Sequence, residues 1–197
     1  FNSVYSPSSG VDLLLGHVEL DEDLDFDFFL RSWQRVTDAH DVLRTSLRWK
    51  DLDVPLQDVH REVAIPIRHQ DWSTHDTEEQ ERRWTGLMRE DRAAGFDLAS
   101  APLWRVTIVR LGPARHRVLW NIHHALIDTG AMTTVLRQVF GTYDALRTGG
   151  AVEDYPIEPA PQQGDYSVWF EQQDVDVAEA YWRERLAGLS GPTRPGL

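Results

Sequence analysis

Two apolar runs joined by a short turn constrain the fold of this chain more than any other feature. They occupy residues 103–111 and 116–123, and the four residues between them, Gly-Pro-Ala-Arg, favour a turn. We therefore predict a β-hairpin. A helix is predicted soon after it, over residues 131–146. Apolar side chains recur there at helical spacing, and Gly149 and Gly150 then end the pattern.

The rest of the chain mixes strand and helix patterns without strict alternation. An acidic stretch at residues 21–25 favours a helix start, and Phe29, Trp33, Val36 and His40 then follow on one helical face. The order predicts an α/β (α+β) fold with a mixed sheet. Further strands are predicted over residues 11–20, 42–49 and 57–68, interrupted at Pro66, and a solvent-facing helix over 77–94, ended at Gly95.

Composition changes near residue 150. Residues 153–164 hold three prolines and a glycine, which indicates a connecting loop, and residues 165–189 again have a helical pattern. The last residues, 191–197, resemble a linker. We therefore predict one domain over residues 1–150, followed by a connecting loop and helices over 151–197.

The charge balance argues against some classes of partner. The chain has 20 basic and 32 acidic residues, a net charge of −12, which disfavours nucleic acid and anionic membrane surfaces. No apolar run approaches the roughly 20 residues of a membrane span, and the N-terminus lacks a signal-peptide pattern. The absence of cysteine suits a cytoplasmic protein. Because the chain begins with Phe1, we expect it to be a piece of a longer protein or a trimmed form.

The candidate site is the stretch His123-His124-Ala125-Leu126-Ile127-Asp128, where the second hairpin strand ends and the strongest helix begins. Side chains alternate along a strand, so His124 is predicted to share a face with Ile122, and His123 with Asn121. The two histidines therefore have different roles. Asp128 can cap the helix, orient a histidine ring or pair with a buried arginine.

Two other interpretations of this stretch remain open. Adjacent histidines at a strand end are often hydrogen-bonded structural residues, and clustered titratable groups mark sites only in a fraction of cases. A zinc site needs three or four ligands, and nothing else in the chain has ligand spacing, so no metal is expected. The sequence also lacks a glycine-rich phosphate loop and the nucleophile elbow of hydrolases.

Residues 123–128 resemble the His-His-x-x-x-Asp-Gly motif of condensation domains from non-ribosomal peptide synthetases, which belong to the chloramphenicol-acetyltransferase-like superfamily. Other segments resemble the family in the right order across nearly the whole chain. These segments are Asp38-Ala-His-Asp-Val-Leu-Arg-Thr45, Gly95-Phe-Asp-Leu-Ala-Ser-Ala-Pro-Leu-Trp-Arg105, Asp165-Tyr-Ser-Val-Trp169 and Tyr181-Trp-Arg-Glu-Arg-Leu186.

The resemblance implies the N-terminal lobe of such a domain, with a mostly antiparallel sheet. Condensation domains join acyl or aminoacyl units carried as thioesters on the phosphopantetheine arms of peptidyl or acyl carrier proteins. His124 is expected at the reacting centre, with His123 beside it, either taking a proton from the attacking amine or positioning it. Asp128 is expected to be structural and paired to an arginine. The helix N-terminus is expected to help stabilise an oxyanion.

The resemblance has departures that bear on activity. Thr129 stands where the motif has glycine, and Gly130 follows it; glycine permits backbone conformations or close approaches that threonine resists. Ala39 replaces an arginine that is a candidate partner of Asp128, whereas Arg44 remains. The family has two lobes with the active tunnel between them, and this chain resembles the first alone, so the isolated lobe is expected to be inactive.

Three functions therefore compete. In the first, the chain is a lobe of a peptide-bond-forming domain, next to an adenylation domain and a missing C-terminal lobe. In the second, it is a degenerate domain of the same fold that docks carrier proteins. The replacements at Ala39 and Thr129 favour the second. A third possibility is a stand-alone acyltransferase that completes its site by trimerising, against which the helical segment 165–189 argues. No bound cofactor is expected in any of them, beyond the phosphopantetheine that carries the substrates.

Overall fold

The computed structural model describes residues 12–158, 163–189 and 191. The chain divides into two compact units, Phe1–Ala160 and Pro161–Leu197. The predicted linker over residues 191–197, apart from residue 191, and the first residue of the predicted opening strand lie outside the described residues. The predicted boundary at residue 150 stays a prediction, although a short 3-10 turn, Val152–Asp154, belongs to the first unit and packs against its last helix.

The first unit is built on a four-stranded sheet with the order β1-β6-β5-β4. β6 pairs antiparallel with both β1 and β5, whereas β4 pairs parallel with β5. The predicted hairpin and the mixed, mostly antiparallel sheet are confirmed. A separate antiparallel ribbon is formed by β2 and β3. The strands are β1 Leu13–Leu20, β2 Thr45–Arg48, β3 Leu56–Val59, β4 Ile67–Asp71, β5 Trp104–Gly112 and β6 Arg115–His123.

Two predicted strands differ from the structure. Asp41–Arg44, the start of the first, is a 3-10 turn, because the Arg44 side chain folds back onto the carbonyl of Thr37 (3.1 Å) and the carboxylate of Asp41 (2.7 Å). The second stretch, 57–68, breaks before Pro66 into β3 and β4, which belong to different sheets. Alternating hydrophobicity alone does not tell which sheet a short strand will join.

Three helices pack on the sheet: α1 Phe26–Ala39, α2 Thr77–Ala94 and α3 Thr129–Arg147. Each starts at an aspartate whose carboxylate accepts a backbone N–H of the first turn, namely Asp25, Asp76 and Asp128. α2 ends at Gly95, whose positive φ of 56° favours glycine. The predicted helices are therefore found at the expected places.

The sheet has a packed core on each face. α1 and α3 cover one face, where Trp33 stacks on Trp104 and meets Trp120 edge-on, with ring centroids 5.1 Å apart in both pairs. α2 covers the other face with Trp84, which packs near Leu119. Because alternate residues of β6 enter opposite cores, almost the whole strand is buried up to His123.

The second unit contains two helices, α4 Gln163–Glu171 and α5 Val175–Arg185. The single helical segment predicted over 165–189 is thus divided, because the carboxylate of Asp174 caps α5 by accepting the N–H of Val177 at 3.0 Å. No helix in the described parts of either unit combines the length and apolar character that a membrane span requires.

Candidate active site

The strand β6 ends between the two adjacent histidines of the candidate site. The carbonyl of His123 accepts the N–H of Leu126 at 3.0 Å, which closes a turn with His124 and Ala125 at its tip. The N–H of His124 donates to the carbonyl of Asp12 at 2.7 Å, which ties the turn to the start of β1. The predicted end of the second hairpin strand at residue 123 agrees with β6, but the alternation does not extend to His124, which lies in the turn and not on the strand face with Ile122.

The loop exposes His124 and Asp128 and buries the two large apolar residues between them. The side chain of His124 is exposed, whereas Leu126 and Ile127 are 9% and 7% exposed and pack into the core that α1 and α3 cover. Exposure returns at Asp128 and Thr129. The apolar pair thus anchors a short rigid loop that presents two exposed groups, one at each end.

His123 is held inside the fold. It is 5% exposed, and its Nδ1 accepts the backbone N–H of Ala125 at 3.1 Å, so the neutral ring carries its proton on Nε2. Burial lowers the pKa of His123, and the neighbouring Asp12 opposes this shift. Its backbone N–H donates to the carbonyl of Leu103 at 2.9 Å. This histidine is suited to fixing the turn.

Asp128 forms the first of its three predicted interactions, the helix cap. Its Oδ1 accepts the N–H of Ala131 at 2.7 Å, and its carbonyl accepts the N–H of Met132 at 2.9 Å. The expected arginine partner is not found: no described arginine forms an ion pair with Asp128. Arg44 instead pairs with Asp41 in the turn after α1 and donates through Nε to the carbonyl of Thr37.

Thr129 and Gly130 begin α3 in ordinary helical geometry. Among the described non-glycine residues only Asp51 has a positive φ, so threonine at position 129 carries no backbone strain. The backbone N–H groups of Thr129 and Gly130 have no acceptor in the described parts of the chain, as is usual at a helix start. They offer two donors at the positive end of the helix dipole, close to the turn.

A buried polar network supports the strand behind the histidines. Arg105 forms an ion pair with Asp91 and stacks over the ring of Phe96 at 4.3 Å. Asn121, fully buried and two residues before His123, donates to Asp91 Oδ2 at 2.9 Å. Arg105 lies in one of the motif segments of the sequence, whereas Asp91 was not predicted as a residue of the site. The available signal was Asn121, a polar residue in an otherwise apolar strand.

A second link joins another motif segment to α3. His40, at the end of α1, hydrogen-bonds through Nε2 to Oε1 of Gln138 at 2.6 Å. Gln138 is 9% exposed and lies in the middle of α3. The segment around His40 therefore fixes α1 to the helix that carries the candidate site.

The described residues contain no group of three His, Asp or Glu side chains that could together hold a metal ion. Exposed near the turn are the imidazole of His124, the carboxylate of Asp128, the hydroxyl of Thr129 and the backbone donors of a helix start. These groups can position a polar substrate, accept a proton and stabilise negative charge.

Comparison with known proteins gives the family. The condensation-domain family matches residues 15–194. A linear gramicidin synthase protein from Brevibacillus parabrevis is 37% identical over 193 residues, which are 98% of this chain and 2% of that protein. The starter condensation domain of rhizomide synthetase has a TM-score of 0.76 at 22% identity, over 96% of this chain and 46% of that one.

A second solved structure agrees in fold. The first condensation domain of the calcium-dependent antibiotic synthetase, in complex with a substrate analogue, has a TM-score of 0.75 at 23% identity, over 96% of this chain and 45% of that one. The chain belongs to the condensation-domain family of non-ribosomal peptide synthetases, as the N-terminal lobe. It spans less than half the length of these solved domains. Formation of peptide bonds between carrier-bound substrates is the known function of this family.

Proposed function

We propose that this chain is the half of a condensation site that carries the reacting histidine, in a domain that forms an amide bond between two carrier-bound thioesters. The observation that carries the proposal is the different placement of the two histidines. His123 is buried and hydrogen-bonded to the turn, whereas His124 is exposed at its tip. Only the second imidazole is accessible to a substrate.

The groups around the turn fit the chemistry of acyl transfer. The amine of the acceptor attacks the thioester carbonyl of the donor, the C–N bond forms and the C–S bond breaks. His124 positions the amine and takes up the proton that the nitrogen loses, and the departing thiolate is protonated in turn. The oxygen of the tetrahedral intermediate is stabilised by the free N–H groups of Thr129 and Gly130.

Asp128 has a supporting role in this scheme. Its carboxylate already accepts the N–H of Ala131, so it fixes the direction of the helix start and leaves the two preceding N–H groups available. Because the cap satisfies this carboxylate, the replacement of a candidate arginine partner by Ala39 does not leave Asp128 without an interaction.

The partners follow from the reaction. Carrier proteins with phosphopantetheine arms deliver both substrates, a C-terminal lobe closes the other side of the tunnel, and an adjacent adenylation domain supplies activated amino acids. A cytoplasmic location fits such partners and a chain without cysteine. The relatives that contain similar segments include linear gramicidin synthase and bacitracin synthase.

The alternative of a docking domain without catalysis rested on Thr129 and Ala39. The ordinary φ at Thr129 and the intact cap at Asp128 weaken it, because neither replacement distorts the turn. The trimeric acyltransferase is disfavoured by a family match that runs through the second unit to residue 194.

The test uses the complete protein that contains this chain, mixed with a donor carrier and an acceptor carrier that each hold an aminoacyl thioester. Mass spectrometry of the intact acceptor carrier is expected to show the mass of a dipeptidyl thioester. A matched acceptor with an acetylated amine is expected to give none. Carriers that bind without forming product, with the free amine present, would support the docking alternative and contradict this proposal.

A further inference from the structure

The first turn of α3 presents one side chain that the proposed chemistry does not use, that of Thr129. It directly follows the Asp128 cap and is exposed, as is His124. The hydroxyls of Thr133 and Thr134, one turn further along, donate to carbonyls of the same helix at 3.1 and 3.4 Å. The hydroxyl of Thr129 has no such bond within the described residues, so the whole side chain is available to a bound molecule.

The position of Thr129 is fixed by its neighbours. Asp128 caps the helix before it, and Met132 packs against Gly16 of β1 after it. A Cβ at Gly16 would lie only 2.6 Å from Met132 Cε, so this glycine lets the helix start approach the sheet closely. Thr129 is therefore held on a rigid element, and a β-branched side chain has little freedom about χ1.

The fold does not explain why threonine occupies this position. The same pair, an aspartate cap followed by threonine, begins α2 at Asp76 and Thr77, on the opposite face of the sheet. Because Thr129 has ordinary helical geometry, glycine and threonine are both compatible with the backbone there. Glycine and threonine at this position differ in the volume that they leave free beside the turn.

We propose that Thr129 is a specificity-determining residue, whose bulk limits the size of the group attached to the attacked carbonyl. This inference rests on the proposed function. A carbonyl oxygen that accepts the N–H groups of Thr129 and Gly130 brings the carbonyl carbon to the first turn of α3, and the Cβ of a helical residue tilts toward that N-terminal end. A rigid methyl and hydroxyl there disfavour large donors relative to small ones.

The experiment compares three variants of the complete protein: Thr129→Gly, which removes the side chain; Thr129→Ser, which keeps only the hydroxyl; and Thr129→Val, which keeps the shape. Single-turnover rates are measured with a glycyl and a phenylalanyl donor on the same carrier. We expect the Gly and Ser variants to raise the phenylalanyl-to-glycyl rate ratio about tenfold and the Val variant to keep the parent ratio.

Thr77→Gly is the matched control, because it changes the same residue type after the same kind of cap, and it should keep the parent ratio. An unchanged ratio in Thr129→Gly overturns the inference, as does a Val variant that behaves like Gly. Both results leave the proposed function standing, since amide product still forms. Absence of product from the parent protein overturns the proposed function and this inference with it.

Discussion

The backbone N–H of His123 donates to the carbonyl of Leu103 at 2.9 Å, where the start of β5 meets the end of β6. Leu103 belongs to one motif segment and His123 to another, and about twenty residues separate them in the chain. The hairpin brings them together and makes the end of β6 rigid just before the turn. A rigid strand end below an exposed loop is a common arrangement for a functional site.

The buried His123 predicts a specific dependence of stability on pH. Its folded-state pKa is lowered by burial, so above the unfolded value of about 6.5 both states are neutral. As the pH falls through that value, the unfolded chain binds a proton that the folded chain does not, and stability is lost until the folded pKa is reached.

His123→Asn should remove this pH-dependent contribution, because an asparagine side chain does not titrate. The turn should stay intact, since the side-chain oxygen of asparagine can still accept the N–H of Ala125. Urea unfolding followed by tryptophan fluorescence between pH 7 and 5 measures it. The slope of the free energy of unfolding against pH should be smaller in the variant by at most about 1.4 kcal/mol per pH unit. Equal slopes for the two proteins would show that His123 is not held neutral.

The Arg105–Asp91 pair predicts a large loss of stability on truncation. Both side chains are nearly buried, so Asp91→Ala leaves the charge of the guanidinium uncompensated and removes the carboxylate acceptor of Asn121, whose amide keeps only the Asp91 carbonyl at 3.3 Å. We expect a loss of about 3–5 kcal/mol in the free energy of unfolding. Asp71→Ala, which breaks an exposed pair with Arg110, should cost below about 1 kcal/mol. Similar losses in the two variants would contradict the role of burial.

The substitution of glycine by alanine should have opposite effects on stability at two helical positions. A Cβ at Gly141 in α3 would overlap the ring of Tyr155, so Gly141→Ala should destabilise the first unit, and Tyr155→Ala in the same chain should restore part of the loss. At Gly86 in α2 no atom lies within 4 Å of the added Cβ. Gly86→Ala should therefore stabilise by about 0.5–1 kcal/mol. Thermal unfolding of the variants checks both signs, and a gain at Gly141 would refute the packing described.

The His40–Gln138 hydrogen bond predicts a measurable coupling between α1 and α3. A double-mutant cycle of His40→Ala and Gln138→Ala should give an interaction energy of about 0.5–1.5 kcal/mol, because the acceptor is buried. The exposed bond between Gln34 and Asp38 serves as a control and should give close to zero. Additive effects at His40 and Gln138 would remove the proposed link between the motif segment and α3.

Much of the fold could be predicted from local patterns. The hairpin, the helix after it and the helix ended at Gly95 follow from hydrophobic spacing and glycine placement, which act over a few residues. The short strands after α1 could not be assigned, because β3 and β4 join different sheets through contacts that are distant in the chain. The 3-10 turn at Asp41–Arg44 depends on a side chain folding back onto the helix end, which alternation does not reveal.

The candidate site was partly predictable for the same reason. The end of the strand at His123 and the different placement of the two histidines follow from the sequence pattern. The position of His124 in the turn does not, because it depends on the hydrogen bond from His124 to Asp12, more than a hundred residues away. The expected arginine partner of Asp128 is not found among the described residues, where Arg44 pairs with Asp41.

We propose that His124, the exposed member of the pair, acts at the reacting centre. The most direct measurement is the single-turnover rate of dipeptidyl thioester formation by the complete protein carrying His124→Ala. The control is His69→Ala, another exposed histidine of the same unit, on β4. We expect a rate at least roughly 100-fold lower for His124→Ala, with unchanged folding, and the parent rate for His69→Ala. A parent-like rate for His124→Ala would contradict it.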